Sequence, residues 1–288
     1  MHLTGPVPRF LNAKDRNYIY LSGMKRNYTL AVKTALEAGR AIMEVYESAD
    51  FQVEHKADDS PLTLADKRAH EIITKALEKT RFPVLSEEGS EIPYMNRSWW
   101  NKFWLVDPLD GTREFIKRNG EFTVNIALIK DGHADFGVVY APAREVLYMG
   151  VPGMGAFRCN DSKNFTQPVD YLVQFATRLP DKTAGDDEFR VVASRSHFNR
   201  ETELYVNNLE KGKKPVSLVS AGSSLKLCMV AEGSAHIYPR LGPTMEWDTA
   251  AAHAVVKAAG KNVYRIADGQ EMEYNKENLL NPYFVVKE

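Results

Sequence analysis

The stretch Phe103-Trp104-Leu105-Val106-Asp107-Pro108-Leu109-Asp110-Gly111-Thr112 decides the fold of this chain. Its first four residues form a short apolar run, which is typical of a strand buried on both faces. Two aspartates, Asp107 and Asp110, follow this run three residues apart. Pro108 fixes one φ angle and removes an N–H donor, which predicts a turn after residue 106. The turn would direct both carboxylates, and the Leu109 carbonyl, toward one spot.

Gly111 and Thr112 begin the segment that follows, and backbone N–H groups at the start of a helix suit a phosphate oxygen. Aspartate and glycine are also common turn residues, so an acidic turn that caps a helix explains the same residues. The stretch alone leaves both interpretations open.

Two further acidic residues, elsewhere in the chain, also lie at the ends of predicted secondary-structure elements. Glu87 lies in the segment Ser86-Glu87-Glu88-Gly89 that follows the apolar run 83–85, and Asp248 lies at the start of a predicted helix. Each alone is typical of a solvated charge or a helix cap. If both met Asp107 and Asp110 in one cleft, the four carboxylates would repel one another unless cations neutralised them, and all-oxygen ligand sets favour Mg²⁺. Such a cage beside a phosphate cradle is what metal-assisted phosphoryl transfer requires.

The surrounding sequence predicts an α+β fold. Apolar spacing indicates helices over 27–46 and 63–80, and alternation indicates an antiparallel meander of strands over 122–128, 134–140 and 145–149. The second half alternates strands at 190–193 and 215–220 with helices at 199–209, from Ser224 to Gly233, and from Trp247 to Gly260.

The chain is accordingly divided into three parts. Residues 1–26 read as a flexible N-terminal extension, 27–160 as an α+β half with the metal-binding motifs, and 161–288 as an α/β half with the nucleotide-binding residues. The polar, proline-containing segment 161–188 is the predicted boundary or a long surface connection.

Composition excludes several classes of protein. The 288 residues contain 37 Lys and Arg against 38 Asp and Glu, a net charge of −1, so no basic footprint for nucleic acid exists. No apolar run approaches the roughly 18 residues that span a bilayer. Cys159 and Cys228 are far apart, and no histidine pair has metal spacing. We expect a cytoplasmic protein without a transmembrane segment; peripheral attachment at the inner membrane face and the oligomeric state stay open.

Four motifs then carry a resemblance. They are Leu85-Ser86-Glu87-Glu88, the stretch 104–112, Ala221-Gly222-Ser223-Ser224-Leu225-Lys226 and Glu246-Trp247-Asp248-Thr249-Ala250-Ala251. In this order and spacing the chain resembles the inositol monophosphatase superfamily, and within it the CysQ-type 3'(2'),5'-bisphosphate nucleotidases. The resemblance implies a layered α-β-α-β-α sandwich and hydrolysis of adenosine 3',5'-bisphosphate to AMP and phosphate, which removes a by-product of sulfate assimilation. It also implies sensitivity to lithium.

The resemblance also implies residue roles. Two or more Mg²⁺ ions would be held by Glu87, Asp107, the Leu109 carbonyl, Asp110 and Asp248. Thr112 and Asp66 would orient and deprotonate the attacking water. The nucleotide would contact Gly111, Thr112, His197, Ser223, Lys226, Arg240 and Asp248, with Lys226 and Arg240 neutralising a second phosphate.

Other interpretations are open at this point. Asp66 could be a helix-surface acid, Lys226 a solvated lysine, Arg240 part of a structural ion pair and His197 a loop histidine. An inositol or sugar-phosphate phosphatase would use the same metal cage, and a phosphonucleotide sensor would bind without turnover. A haloacid-dehalogenase mechanism is excluded, because its two aspartates stand two residues apart and Asp107 and Asp110 stand three apart.

Overall fold

The protein is described by a computed structural model over residues 13–48, 51, 53–55, 61–162, 165, 168–181, 188–193, 199–210 and 215–288. The helices are α1 Ala13–Tyr46, α2 Leu64–Leu77, α3 Tyr94–Arg97, α4 Thr112–Ile116, α5 Val169–Phe175, α6 Arg200–Glu210, α7 Leu225–Glu232 and α8 Glu246–Ala258. The strands are β1 Glu54–His55, β2 Pro61–Leu62, β3 Val84–Ser86, β4 Lys102–Asp110, β5 Thr123–Lys130, β6 His133–Ala141, β7 Val146–Val151, β8 Gly155–Cys159, β9 Thr177–Leu179, β10 Phe189–Ala193, β11 Val216–Ser220, β12 Tyr238–Arg240, β13 Asn262–Arg265 and β14 Phe284–Lys287.

A seven-stranded sheet of order β3-β4-β5-β6-β7-β8-β9 forms the centre of the fold. Strands β3 and β4 are parallel, and every later neighbouring pair is antiparallel. Helices α1 and α2 cover one face, while α8 packs on β5, β6 and β7 from the other. Beyond α7 and α8 lie the parallel pair β10-β11, the sheet β12-β14-β13, and α6. The expected α+β fold with α-β-α-β-α layers is confirmed.

Strand β5 shows how the sequence pattern produces this layering. Val124, Ile126 and Leu128 belong to the core under α1 and α2, whereas Ala127 and Ile129 belong to the core under α8. Alternate residues of a strand point to opposite faces, so a strand covered on both sides must be apolar at nearly every position.

A pair of glycines allows α8 to lie directly on the sheet. Gly137 of β6 is paired with Gly150 of β7, and both face the α8 backbone. A Cβ on Gly137 would overlap the carbonyl of Ala251, and one on Gly150 would overlap the carbonyl of Ala254. The helix therefore rests on backbone rather than on side chains, which fixes its distance from the strands.

Two expectations about chain organisation differ from the structure. The first helix begins at Ala13 rather than at residue 27. Met24, which precedes the predicted start, is buried and so extends the apolar stripe of the helix by about one turn. The segment 161–188 contains helix α5 and strand β9, which pairs with β8. These elements are only 7 and 3 residues long, which is too short to give a periodic signal.

The division of the chain at residue 160 stays a prediction. Strand β9, which follows residue 160 in the sequence, belongs to the seven-stranded sheet. The flexible extension over 1–26 also stays a prediction, and residues 1–12 lie outside the described residues. Within the described part of the chain, no helix has the length and apolar character needed to cross a bilayer.

Gly137→Ala is expected to lower the free energy of unfolding by about 3 kcal/mol, because the added methyl group must displace α8. Gly269→Ala is the control, because nothing lies within 4 Å of the Cβ position of Gly269. This variant has only the backbone strain of a side chain at φ 70°, which should cost about 1 kcal/mol. Urea unfolding of both variants measures the difference. Equal losses would show that the glycine does not set the helix position.

Candidate active site

An irregularity in β4 brings Asp107 and Asp110 to the same side of the sheet. Residues three apart in a regular strand point to opposite faces. Asp107 pairs with Asn125 and Asp110 with Thr123, and the register shifts between these pairs. Bulges of this kind bend a strand and redirect its side chains. The turn predicted after residue 106 is therefore wrong: β4 continues to Asp110, and Pro108 lies inside the irregularity.

Helix α8 and the end of β3 complete the acidic cluster. Carboxylate oxygens of Asp107, Asp110 and Asp248 lie within 4.8 Å of one another. Asp248 occupies the first turn of α8, where its Oδ2 accepts a 2.8 Å hydrogen bond from the Met245 N–H. Glu87 follows β3, and its charge acts on both Asp107 and Asp248. The four predicted carboxylates therefore converge.

The cluster cannot hold all its negative charges without a counter-charge. Burial raises the pKa of Asp107 well above its usual value, and the charges of Glu87, Asp110 and Asp248 raise it further. Burial likewise raises the pKa of Asp248, with Asp110 as the next cause. Closely spaced carboxylate oxygens of this kind fit a hard divalent cation such as Mg²⁺, which would restore the ionised form.

A hydrogen-bond network from another part of the chain fixes Asp110. Its Oδ2 accepts from Ser223 Oγ at 2.5 Å, from the Ser224 N–H at 2.8 Å and from Asn125 Nδ2 at 3.3 Å. Ser223 adopts a positive φ of 52°, a conformation that side-chain-bearing residues rarely take. The 221–224 loop and β5 therefore hold this carboxylate in one orientation.

Asp66 and Thr112 form a second pair next to the cluster. Asp66 caps α2 through Thr63, whose N–H donates at 2.7 Å and whose hydroxyl donates at 2.5 Å. Its other oxygen lies 3.2 Å from Thr112 Oγ1. Asp66 is buried, so the helix-surface reading is wrong, and desolvation raises its pKa to about 6 despite these hydrogen bonds. It combines a capping role with a contact to the site.

A cavity of about 360 Å³ opens over these groups. Its lining includes eight of the residues selected from the sequence: Glu87, Asp110, Gly111, Thr112, Ser223, Lys226, Arg240 and Asp248. Asp107 and Asp66 are buried and are not among the lining residues. Asp107 contacts the lining through Asp110 and Asp248, and Asp66 contacts it through Thr112. The Leu109 side chain is in the core under α1 and α2, and its carbonyl oxygen lies 3.3 Å from Thr112 Oγ1. His197 lies outside the described residues.

Two cationic side chains, Lys226 and Arg240, also line this cavity. Lys226 is buried, which lowers the pKa of its amine to about 8, and its Nζ donates to the Ser223 carbonyl at 2.7 Å. Arg240 is also buried; its Nη2 donates to the Pro243 carbonyl at 2.9 Å, while its Nε is a buried donor without a hydrogen-bond partner among the described residues. A solvated lysine is therefore the wrong reading of Lys226. An unpaired buried donor beside a second cation fits an anionic group.

Sequence reasoning missed three residues of the network, namely Thr123, Asn125 and Ser224. All three are almost completely buried. A signal for the first two existed, because they are polar at alternate positions of a strand whose later residues are apolar on both faces. Ser224 belongs to the motif 221–226, but nothing in the sequence indicates that it reaches Asp110.

Asp107→Asn is expected to stabilise the metal-free protein, because a neutral amide avoids both the repulsion of an ionised Asp107 by its neighbours and the cost of protonating this carboxyl at neutral pH. The melting temperature without divalent cations should rise by about 2 °C or more. The further rise that Mg²⁺ produces in the wild-type protein should be lost. Thermal unfolding with EDTA and with Mg²⁺ measures both quantities, and a variant with a lower metal-free melting temperature would refute the charge-repulsion argument.

Known proteins share this arrangement of sequence and fold. A family model described as "Inositol monophosphatase family" matches residues 24–284. The 3'(2'),5'-bisphosphate nucleotidase CysQ of Shigella flexneri is 45% identical over 260 residues, which cover 88% of this chain and 96% of the relative. The nucleotidase of the same name from Aggregatibacter actinomycetemcomitans is 32% identical over 259 residues, covering 88% of this chain and 90% of the relative.

A solved structure agrees with these matches. The crystal structure of CysQ from Bacteroides thetaiotaomicron, described as a bacterial member of the inositol monophosphatase family, has a TM-score of 0.85 and 48% sequence identity. The match covers 91% of this chain and 97% of that one. The similarity therefore includes the site-bearing elements from α2 to α8.

Proposed function

Because this chain belongs to the inositol monophosphatase family, we propose that it is a metal-dependent phosphatase that hydrolyses adenosine 3',5'-bisphosphate to AMP and phosphate. One observation carries the choice of substrate: a buried pair of cations, Lys226 and Arg240, lines the same cavity as the carboxylate cluster. A substrate with two phosphates can place one at the metal-binding carboxylates and the other at these cations. The relatives named as 3'(2'),5'-bisphosphate nucleotidases support this assignment.

The residues present fit a set of Mg²⁺ ions. We assign Glu87, Asp107, Asp110, Asp248 and the Leu109 carbonyl as the groups that would hold them. When bound, the ions would stabilise the negative charge that develops on the transferred phosphoryl group. The Asp107 and Asp248 carboxylates, whose pKa values are raised by burial in the metal-free protein, are the groups that benefit most from a cation.

The chain's own base is Asp66, acting through Thr112. The single hydroxyl proton of Thr112 lies within reach of Asp66 Oδ1 at 3.2 Å, which leaves the oxygen lone pairs available to a water molecule in the cavity. Thr112 would orient this water, and Asp66 would take up its proton. With a pKa of about 6, Asp66 is mostly ionised at neutral pH and is a competent base there.

The substrate's remaining polar contacts come from the cavity wall. Gly111 has a positive φ of 92°, so the chain turns sharply at the start of α4 and its backbone approaches the cavity. Thr112 and Asp248 line the wall near the scissile phosphate, whereas Ser223, Lys226 and Arg240 line it toward the second phosphate. His197 remains part of the proposed nucleotide site and lies outside the described residues.

The proposed function is tested by phosphate release from purified protein with Mg²⁺. Adenosine 3',5'-bisphosphate should be hydrolysed with a kcat/KM at least about 100-fold above that for inositol 1-phosphate, since only the bisphosphate engages the second cationic region. A preference for inositol 1-phosphate would favour the inositol phosphatase alternative, and tight binding without phosphate release would favour a sensor.

The same assay on Lys226→Ala isolates the cation's contribution. The variant should raise KM for the bisphosphate at least about 10-fold, the loss expected for one charge-assisted contact, and should change KM for 3'-AMP much less. Lys261→Ala is the control, because Lys261 also bonds a main-chain carbonyl, that of Val230, away from the cavity. Equal effects on both substrates would remove the argument for a second phosphate region.

A pH profile tests the assignment of Asp66. In the wild-type protein, kcat/KM should fall as the pH decreases through about 6, because protonated Asp66 can no longer accept the proton from water. Asp66→Asn should lower kcat at neutral pH by about 100-fold or more and should flatten this acidic limb. Retention of the limb in the variant would assign it to another group. Circular dichroism checks that α2, which Asp66 caps, remains folded.

A further inference from the structure

Two buried polar residues of β5, Thr123 and Asn125, stand beneath the acidic cluster. They lie opposite Asp110 and Asp107 in the strand pair. Both are almost completely buried, on the face where the strand continues with Ala127 and Ile129. Buried polar groups without partners are costly, and each of these two has its hydrogen bonds filled by the site.

The amide of Asn125 connects three separate segments of the chain. Its Oδ1 accepts from Thr123 Oγ1 at 3.0 Å, while its Nδ2 donates to Ser224 Oγ at 2.9 Å and to Asp110 Oδ2 at 3.3 Å. Ser224 Oγ in turn donates to the Asp248 carbonyl at 2.6 Å. The network therefore joins β4, β5, the loop before α7 and the first turn of α8.

The available donors and acceptors fix the orientation of the Asn125 amide. It must present Nδ2 to Asp110, because a carboxylate oxygen can only accept, and Oδ1 then faces Thr123. Thr123 Oγ1 has a single proton and lies 3.0 Å from Asn125 Oδ1 and 2.5 Å from Ser223 Oγ, so these two oxygens share it. Ser224 Oγ has a single proton, which is used by the Asp248 carbonyl at the shorter distance. Asp110 Oδ2 consequently receives its donors from Ser223 Oγ, the Ser224 N–H and Asn125.

We propose that Asn125 is a positioning residue for the metal-binding carboxylates. By holding Oδ2 of Asp110 and, through Ser224, the start of α8, it fixes the orientation of the Asp110 carboxylate relative to Asp248. The proposal deepens the proposed function and rests on its metal site. Partners that orient metal ligands typically change metal affinity 10–100-fold when they are removed.

An amide is the side chain that this position requires. A carboxylate of the same shape could not donate to Asp110 and would add a fifth negative charge to the cluster. An aliphatic side chain would leave Ser224 Oγ and Asp110 Oδ2 without one donor each. A serine would retain a hydroxyl but is too short to reach both partners, so it should preserve the function only in part.

The test is a calorimetric titration of the substrate-free protein with Mn²⁺, repeated with Mg²⁺. Asn125→Ala should raise the dissociation constant of the metal at least about 10-fold, and Asn125→Ser should lie between it and the wild-type protein. At saturating Mg²⁺, KM for the bisphosphate should change less than about 2-fold. The metal concentration that half-activates the enzyme should rise in parallel with the dissociation constant.

Asn262→Ala provides the control, since the Asn262 side chain also makes a hydrogen bond, at 2.7 Å to the ring of the buried His253, but away from the cluster. It should lower the melting temperature and leave metal affinity unchanged. If Asn125→Ala and Asn125→Ser also lose stability with unchanged metal affinity, the role of Asn125 is structural and the proposal is overturned. Because titration needs no substrate, a wild-type protein that binds metal but releases no phosphate would refute the proposed function and not this inference.

Discussion

Mutual repulsion of four clustered carboxylates, one of which, Asp107, is fully buried, is the constraint around which this protein is organised. Three of them place oxygens within 4.8 Å of one another, and Glu87 adds a fourth charge. Bringing such groups together out of water is unfavourable, so folding energy from elsewhere must hold them until a cation arrives. The apolar cores on both faces of the seven-stranded sheet supply that energy, and the site lies where these two cores reach the end of the sheet.

The acidic residues come from distant parts of the sequence, and separate local features of the fold position them. The β4 irregularity turns Asp107 and Asp110 to one side, the 221–224 loop holds Asp110, and the glycine pair under α8 determines where Asp248 lies. None of these features would itself bind a metal ion. Each one fixes the position of the backbone or side chain of a metal-binding residue, so the geometry of the cluster is a property of the tertiary fold.

Sequence reasoning predicted the elements with a strong periodic signal and the acids that follow them. The apolar run before Asp107 and the alternation of β5 identified a two-sided core, because buried strands leave little room for polar residues. Sequence reasoning failed where tertiary contacts outweighed the local preferences of the residues. Pro108 suggested a turn, yet a strand can contain a proline at a bulge, and the polar partners of Asp110 depend on long-range contacts that no sequence pattern encodes.

The cationic residues of the cavity have a consequence for substrate exchange. Lys226 Nζ is bonded to the carbonyl of Ser223, whose own hydroxyl is bonded to Asp110. One residue of the 221–224 loop therefore contacts both a cation and a carboxylate of the cavity. An anion that draws the Lys226 ammonium away from this carbonyl removes a contact from the same residue that steadies Asp110.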